Sequence, residues 1–224
     1  MWRAARIGWG VLGVLLCLAG AAGAAELRGH VEVWEERDGV VAPRGDNSDA
    51  VIFLTGFHEP PDPEARPQLI QRNKSFSVRV LAITQGAVVE FPNQDPLHHN
   101  VWSRSGTRPF DLGLYKAPET KPLAFPQPGI VTVFCNIHPQ MIATILVLPN
   151  RRFAVTGKSG EYRIEGIPPG THAVYAWVEG TRPVKQELRF SEDRPVTQNF
   201  RLKLTRIPVT HLNKEGRPYK QYNQ

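Results

Sequence analysis

Residues 131–141 read Val-Thr-Val-Phe-Cys-Asn-Ile-His-Pro-Gln-Met. The apolar run into Cys135 reads as a strand, Asn136 to Gln140 as a loop turned at Pro139, and Met141 as the start of a strand to Leu148. The spacing Cys-x2-His-x2-Met places a thiolate, an imidazole and a thioether within seven residues. Taken singly, Cys135 reads as a buried thiol, Met141 as core filling and His138 as a turn residue. Together they are three of the four donors of a one-electron copper centre, which takes one thiolate, two imidazoles and a weak axial thioether. The constraint on the fold follows: it must bring a second imidazole to this loop.

The N-terminus sharpens the metal reading. Arg3 and Arg6 precede an apolar stretch from Gly8 to Leu18 and the small-residue run Ala19 to Ala25. That is the pattern of a cleaved export signal over 1–25, with an uncleaved membrane anchor as the rival reading. Without it, Cys135 is the one cysteine and Met141 the one methionine of the chain. Export implies an oxidising compartment, here the periplasm, where a lone thiol has no intramolecular disulfide partner. A bound metal would protect it. Losing Arg3 and Arg6 lowers the formal charge from +6 to +4, with the charges interspersed. No basic run with interleaved aromatics appears, so nucleic-acid binding is not expected, nor is a membrane role after signal cleavage.

The rest of the chain reads as short strands between turns. Nineteen glycines and twenty prolines fall without a Gly-x-y period, and no useful helical period appears in the mature chain. Leu27 to Glu35 alternates as a strand, Asp38-Gly39 turns, and residues 49–57 form a second, largely apolar strand. His58 to Pro67 holds four prolines in ten residues and reads as a linker over 59–67. Strand candidates follow at 68–71, 77–83 and 87–91. The segment 105–127 reads as loop-rich, with Phe110 to Tyr115 as a packed loop. The adjacent His98 and His99 are the candidates for the missing imidazole. In extended backbone they point to opposite faces, so one of the two reaches the metal. His30 and His58 stand alone and receive no metal role.

Residues 68–149 resemble a cupredoxin, the small blue-copper Greek-key β-sandwich of plastocyanin and amicyanin. The resemblance rests on Asn93-Gln-Asp-Pro-Leu-His-His-Asn-Val101 and on Phe134-Cys-Asn-Ile-His-Pro-Gln-Met141. His99-Asn100-Val101 matches the His-Asn-Val of plastocyanin-like proteins, which selects His99 over His98. The short Cys-x2-His-x2-Met loop resembles that of amicyanin. The resemblance implies one copper ion on His99, Cys135, His138 and Met141. It also implies that Asn100 bonds across to the Cys135 loop, and that electrons leave through His138 at an apolar patch of Pro96, Leu97, Pro139 and Ile142. The whole arrangement is similar to cupredoxin-containing "methylamine utilization" proteins.

Residues 150–205 resemble a carboxypeptidase-regulatory-like or transthyretin-like β-sandwich, with a Ser-Gly hairpin turn and a Pro-Pro-Gly turn between alternating strands. Such a domain opens with a strand, an Asp-Gly turn and an apolar strand. Residues 26–58 have that pattern, so the cupredoxin is expected to be inserted into the second sandwich. The tail 206–224, with His211, Tyr219 and Tyr222, reads as an irregular extension.

The expected protein is therefore all-β: a monomeric periplasmic type 1 copper protein passing single electrons to a c-type cytochrome or a periplasmic oxidoreductase. It is not expected to be an enzyme, because its histidines are too scattered for a second, catalytic copper. The alternatives are a partner- or carbohydrate-binding β-sandwich protein and a copper storage or delivery protein.

Overall fold

The computed structural model of the chain describes residues 25–192, 194–205 and 211–219. The expected export segment up to Ala24 lies outside the described residues, and so do 206–210 and 220–224 of the tail. The described secondary structure is β throughout. The strands are β1 (Ala25–Arg37), β2 (Val40–Pro43), β3 (Val51–Thr55), β4 (Gln71–Arg72), β5 (Ser75–Phe76) and β6 (Val80–Thr84). They continue with β7 (Val88–Pro92), β8 (His99–Ser103), β9 (Phe110–Tyr115), β10 (Thr120–Ala124), β11 (Gly129–Cys135) and β12 (Ile142–Leu148). The last six are β13 (Phe153–Val155), β14 (Glu161–Ile167), β15 (Gly170–Trp177), β16 (Val184–Phe190), β17 (Val196–Thr197) and β18 (Phe200–Lys203).

Two sandwiches result. In one, β1 is the central strand. Its first half pairs antiparallel with β14, Leu27 opposite Ile164, and parallel with β17, Leu27 beside Val196. Its second half pairs parallel with β18, Val31 beside Phe200, and antiparallel with β2. Ala25, Leu27, Val31 and Val33 share one face, as period-2 alternation requires, and all are buried. They meet Ile52, Leu54, Val174 and Ala176 of the opposing sheet β13-β3-β15-β16. Burying each of the larger side chains among them, the valines, leucines and Ile52, contributes roughly 1.5–3 kcal/mol. Gly29 interrupts the apolar face because a Cβ there would sit 1.8 Å from the Gln198 carbonyl oxygen. The carbonyl approaches that closely because Gln198 N–H donates to Arg28 O across the same strand.

The other sandwich spans β4 to β12. A five-stranded sheet, β6-β12-β11-β8-β9, packs against the β7-β10 pair. Its core joins Val101, Val131, Val133 and Ile145 to Val89, Phe91 and Phe125. The segment 105–127 departs from the loop reading. Phe110–Tyr115 is an edge strand paired with β8, and Thr120–Ala124 pairs with β7. Prolines hid these strands. Pro122 lies opposite Glu90 in a two-stranded ribbon, where a residue without an N–H is tolerated.

The sandwiches meet through β6 and β12 on one side and β3, β13 and β15 on the other. Val80, Leu146 and Leu148 pack with Val51 and Trp177. This explains the nearly continuous apolar runs of β3 and β12, which are covered on both faces. The two chain crossings between the sandwiches lie side by side. Glu59 N–H donates to Pro149 O, and the Asn150 amide donates to Leu54 O and Phe57 O. Arg152 completes the doorway with a 2.8 Å ion pair to Glu59.

Candidate metal centre

The site forms where two antiparallel strands end together. Cys135 closes β11 opposite Val101 of β8, and His99 opens β8 two residues earlier. The pairing brings side chains 36 residues apart in sequence to 3.7 Å, measured from Cys135 Sγ to His99 Nδ1. His138 reaches back over the loop, its Nδ1 3.8 Å from Cys135 Sγ and 3.1 Å from His99 Nδ1. The loop is tight because Cys135 N–H donates to Met141 O and Met141 N–H donates to His138 O. The former bond holds Met141, which is buried, beside the thiolate residue. His98 is exposed.

The three convergent atoms fit one ion. Metal bonds of about 2.0 Å to nitrogen and about 2.3 Å to sulfur put nitrogen and sulfur roughly 3.5–3.8 Å apart near trigonal angles. The same lengths place two nitrogens about 3.1 Å apart at an angle of about 100°. Among the described residues this is the one group of three or more His, Cys, Asp or Glu side chains placed to hold a metal. Soft sulfur with two imidazoles is a donor set that suits copper.

Protonation follows the geometry. Burial pushes the Cys135 thiol up, but the His99 ring and the backbone N–H groups of Asn100, Ile137 and His138 outweigh it and hold the thiol below its ordinary value. Burial pushes His99 down, and its bonds to Cys135 and Asp95 reverse that, so its pKa rises. Burial lowers His138, helped by the positive charge of His99. The shifts thus favour loss of the proton from Cys135 and His138 and its retention on His99.

Asp95 is the neighbour of the site that the sequence reading missed. Its Oδ2 accepts from His99 Nε2 at 2.7 Å. Backbone N–H groups of Asn73 and Lys74 donate to the same carboxylate, and Asn93 Oδ1 accepts from Asp95 N–H. Its position four residues before His99, in the turn Asn93-Gln-Asp-Pro96, was the available signal. Asn100 bonds across to the Cys135 loop as expected, through its main chain, whose carbonyl accepts from Asn136 N–H, while its side-chain amide turns to Asp111 Oδ1 and Gly113 O. The expected exit patch is partly open: Pro96, Leu97 and Pro139 are exposed, while Ile142 and His138 are half-buried.

No protein-family model and no curated protein matches the chain. Solved structures resemble it over less than half its length. A copper-containing nitrite reductase from Thermus scotoductus SA-01 is 24% identical, with a TM-score of 0.37, over 42% of this chain and 25% of that one. A purple cupredoxin from Nitrosopumilus maritimus is 20% identical, with a TM-score of 0.33, over 37% and 99% of the respective chains. A reduced amicyanin variant is 18% identical, with a TM-score of 0.36, over 43% and 98%. The chain spans about a quarter of the length of the nitrite reductase it matches.

Proposed function

We propose that this chain is a type 1 copper protein that carries single electrons between redox partners of an exported compartment. The observation that carries the reading is the convergence of His99 Nδ1, Cys135 Sγ and His138 Nδ1 within 4.8 Å of one another, with Met141 closing the same loop. Bound copper supplies a Cu(I)/Cu(II) couple. The chain supplies a site that changes little between the two states. Cys135 provides the thiolate, already favoured by three backbone N–H groups. His99 is fixed in ring orientation by Asp95, and burial lowers the pKa of His138, which favours the form that can bind a metal. Met141, buried at the end of the same loop, would offer a fourth, weak thioether donor.

The remaining described histidines, at 30, 58, 98, 172 and 211, belong to no second metal cluster among the described residues. We take electron carriage, and not copper enzymology, as the proposed role of this site. His138, beside exposed Pro139, is the proposed exit toward a c-type cytochrome or a periplasmic oxidoreductase. A modest, mixed surface charge suits transient docking.

The test is to titrate Cu(II) into the purified mature protein. An intense blue thiolate-to-copper band, absent in Cys135→Ser, supports the reading. A folded protein with a reduced thiol and no such band overturns it. Rapid loss of Cu(I) to an acceptor protein during redox cycling would favour storage or delivery instead.

A further inference from the structure

The C-terminal segment 211–219 is folded back onto the metal loop. It is shaped by its own turn: Asn213 Oδ1 accepts from the N–H groups of Glu215 and Arg217, and Asn213 N–H donates to Arg217 O. Gly216, at φ +76°, allows the reversal. The turn brings its two ends together, with the rings of His211 and Tyr219 in edge contact at 5.1 Å.

The contacts the segment makes outside itself fall on the ligand loop and its immediate support. The Tyr219 hydroxyl donates to the carbonyl oxygen of Cys135 at 2.8 Å. The His211 ring donates from Nε2 to Pro139 O at 2.8 Å and lies against Phe134, the residue before the thiolate, at 4.3 Å. Lys214 N–H donates to Asn136 Oδ1 at 2.8 Å. Lys214 Nζ pairs with Asp111 at 2.8 Å, the carboxylate that also receives the Asn100 amide. Residues on both sides of the Cys135–His138 bridge are thus held from outside the sandwich by one preformed turn.

The geometry points to Tyr219 and His211 as positioning residues of the metal centre, acting through the Cys135 and Pro139 carbonyls to keep the ligand loop closed. A metal leaves such a site when the loop opens and its donors separate. Opening this loop means breaking the bonds to Tyr219, His211 and Lys214 as well as its own. The segment therefore gates release of the ion and access to the thiolate, and by linkage a bound ion strengthens docking of the segment. The gating of release rests on the copper reading; the shielding of Cys135 does not.

The experiment compares full-length protein with Tyr219→Phe, His211→Ala and the double variant, each shown by circular dichroism to be folded. In the metal-free protein, alkylation of Cys135 by iodoacetamide is expected to accelerate about five-fold for Tyr219→Phe, the loss of one net hydrogen bond. In the copper-loaded protein, transfer to excess chelator is expected to accelerate about 10- to 100-fold in the double variant. Tyr219→Phe keeps the ring, so its unfolding temperature should fall by no more than about 2–4 °C, the share of one hydrogen bond. Alkylation rates within two-fold of the parent in all folded variants would overturn the inference. If the parent binds no copper, the proposed function fails, and the alkylation rates still decide the role of the segment.

Discussion

His99 Nε2 and Asp95 Oδ2 lie 2.7 Å apart with both side chains almost wholly out of solvent, 0% and 7% exposed. The carboxylate fixes which imidazole nitrogen faces Cys135. Asp95 is itself fixed by the backbone N–H groups of Asn73 and Lys74, two residues in left-handed conformation at φ +54° and +53°. The orientation of one candidate metal donor is thus set by a turn more than twenty residues away in sequence.

Asp95→Ala is expected to weaken copper binding about 10- to 100-fold, because a buried His99 N–H loses its acceptor and the ring its orientation. Asp95→Asn, which keeps an acceptor oxygen, should weaken it less. Competition against a chelator of known affinity measures both.

Met141→Leu conserves volume in a buried position, so it should cost less than about 1.5 kcal/mol of stability. The bound copper is expected to show a higher reduction potential, because Cu(II) loses the donation of the axial thioether. Voltammetry of parent and variant decides it, and an unchanged potential would place Met141 in the core alone.

Gly29→Ala places a Cβ against the Gln198 carbonyl, where backbone must move. The expected cost is about 1–3 kcal/mol, read as a lower unfolding temperature. The blue band should survive, because the clash lies in the sandwich that does not carry the ligands.

Asp111 ties the C-terminal turn to β9. Burial raises its carboxyl, but Lys214, the Asn100 amide and the Gly113 N–H together hold it below the ordinary value. A folded-state pKa below the unfolded one stabilises the fold fully above about pH 4 and loses that contribution as pH falls through the lowered value. The turn is expected to stay docked at neutral pH and to loosen in acid. Amide resonances of Lys214 and Gly216 followed against pH report this, and Lys214→Ala should shift their titration toward the unperturbed carboxylate range.

Sequence alone was enough for the strand-rich class, through period-2 alternation and turn residues, and for four candidate ligands, His99 among them only through its likeness to a known His-Asn-Val. Cys135, His138 and Met141 lie on one loop, and their spacing is a local property that a linear reading captures. It also presented β3 and β12 as continuous apolar runs, without saying that each lies between a core and a second sandwich. The remaining placements come from the folded chain. The β8–β11 pairing sets His99 beside Cys135 and leaves His98 exposed. The pairing of β1 with β14, β17 and β18 joins segments more than 130 residues apart, the two that the sequence reading assigned to one sandwich, and adds their register. Asp95 meets His99 through a turn, and His211 and Tyr219 meet the ligand loop through a tail with no periodic pattern. Such contacts depend on surfaces brought together only after the sheets have formed, and sequence period records only what each residue does within its own strand.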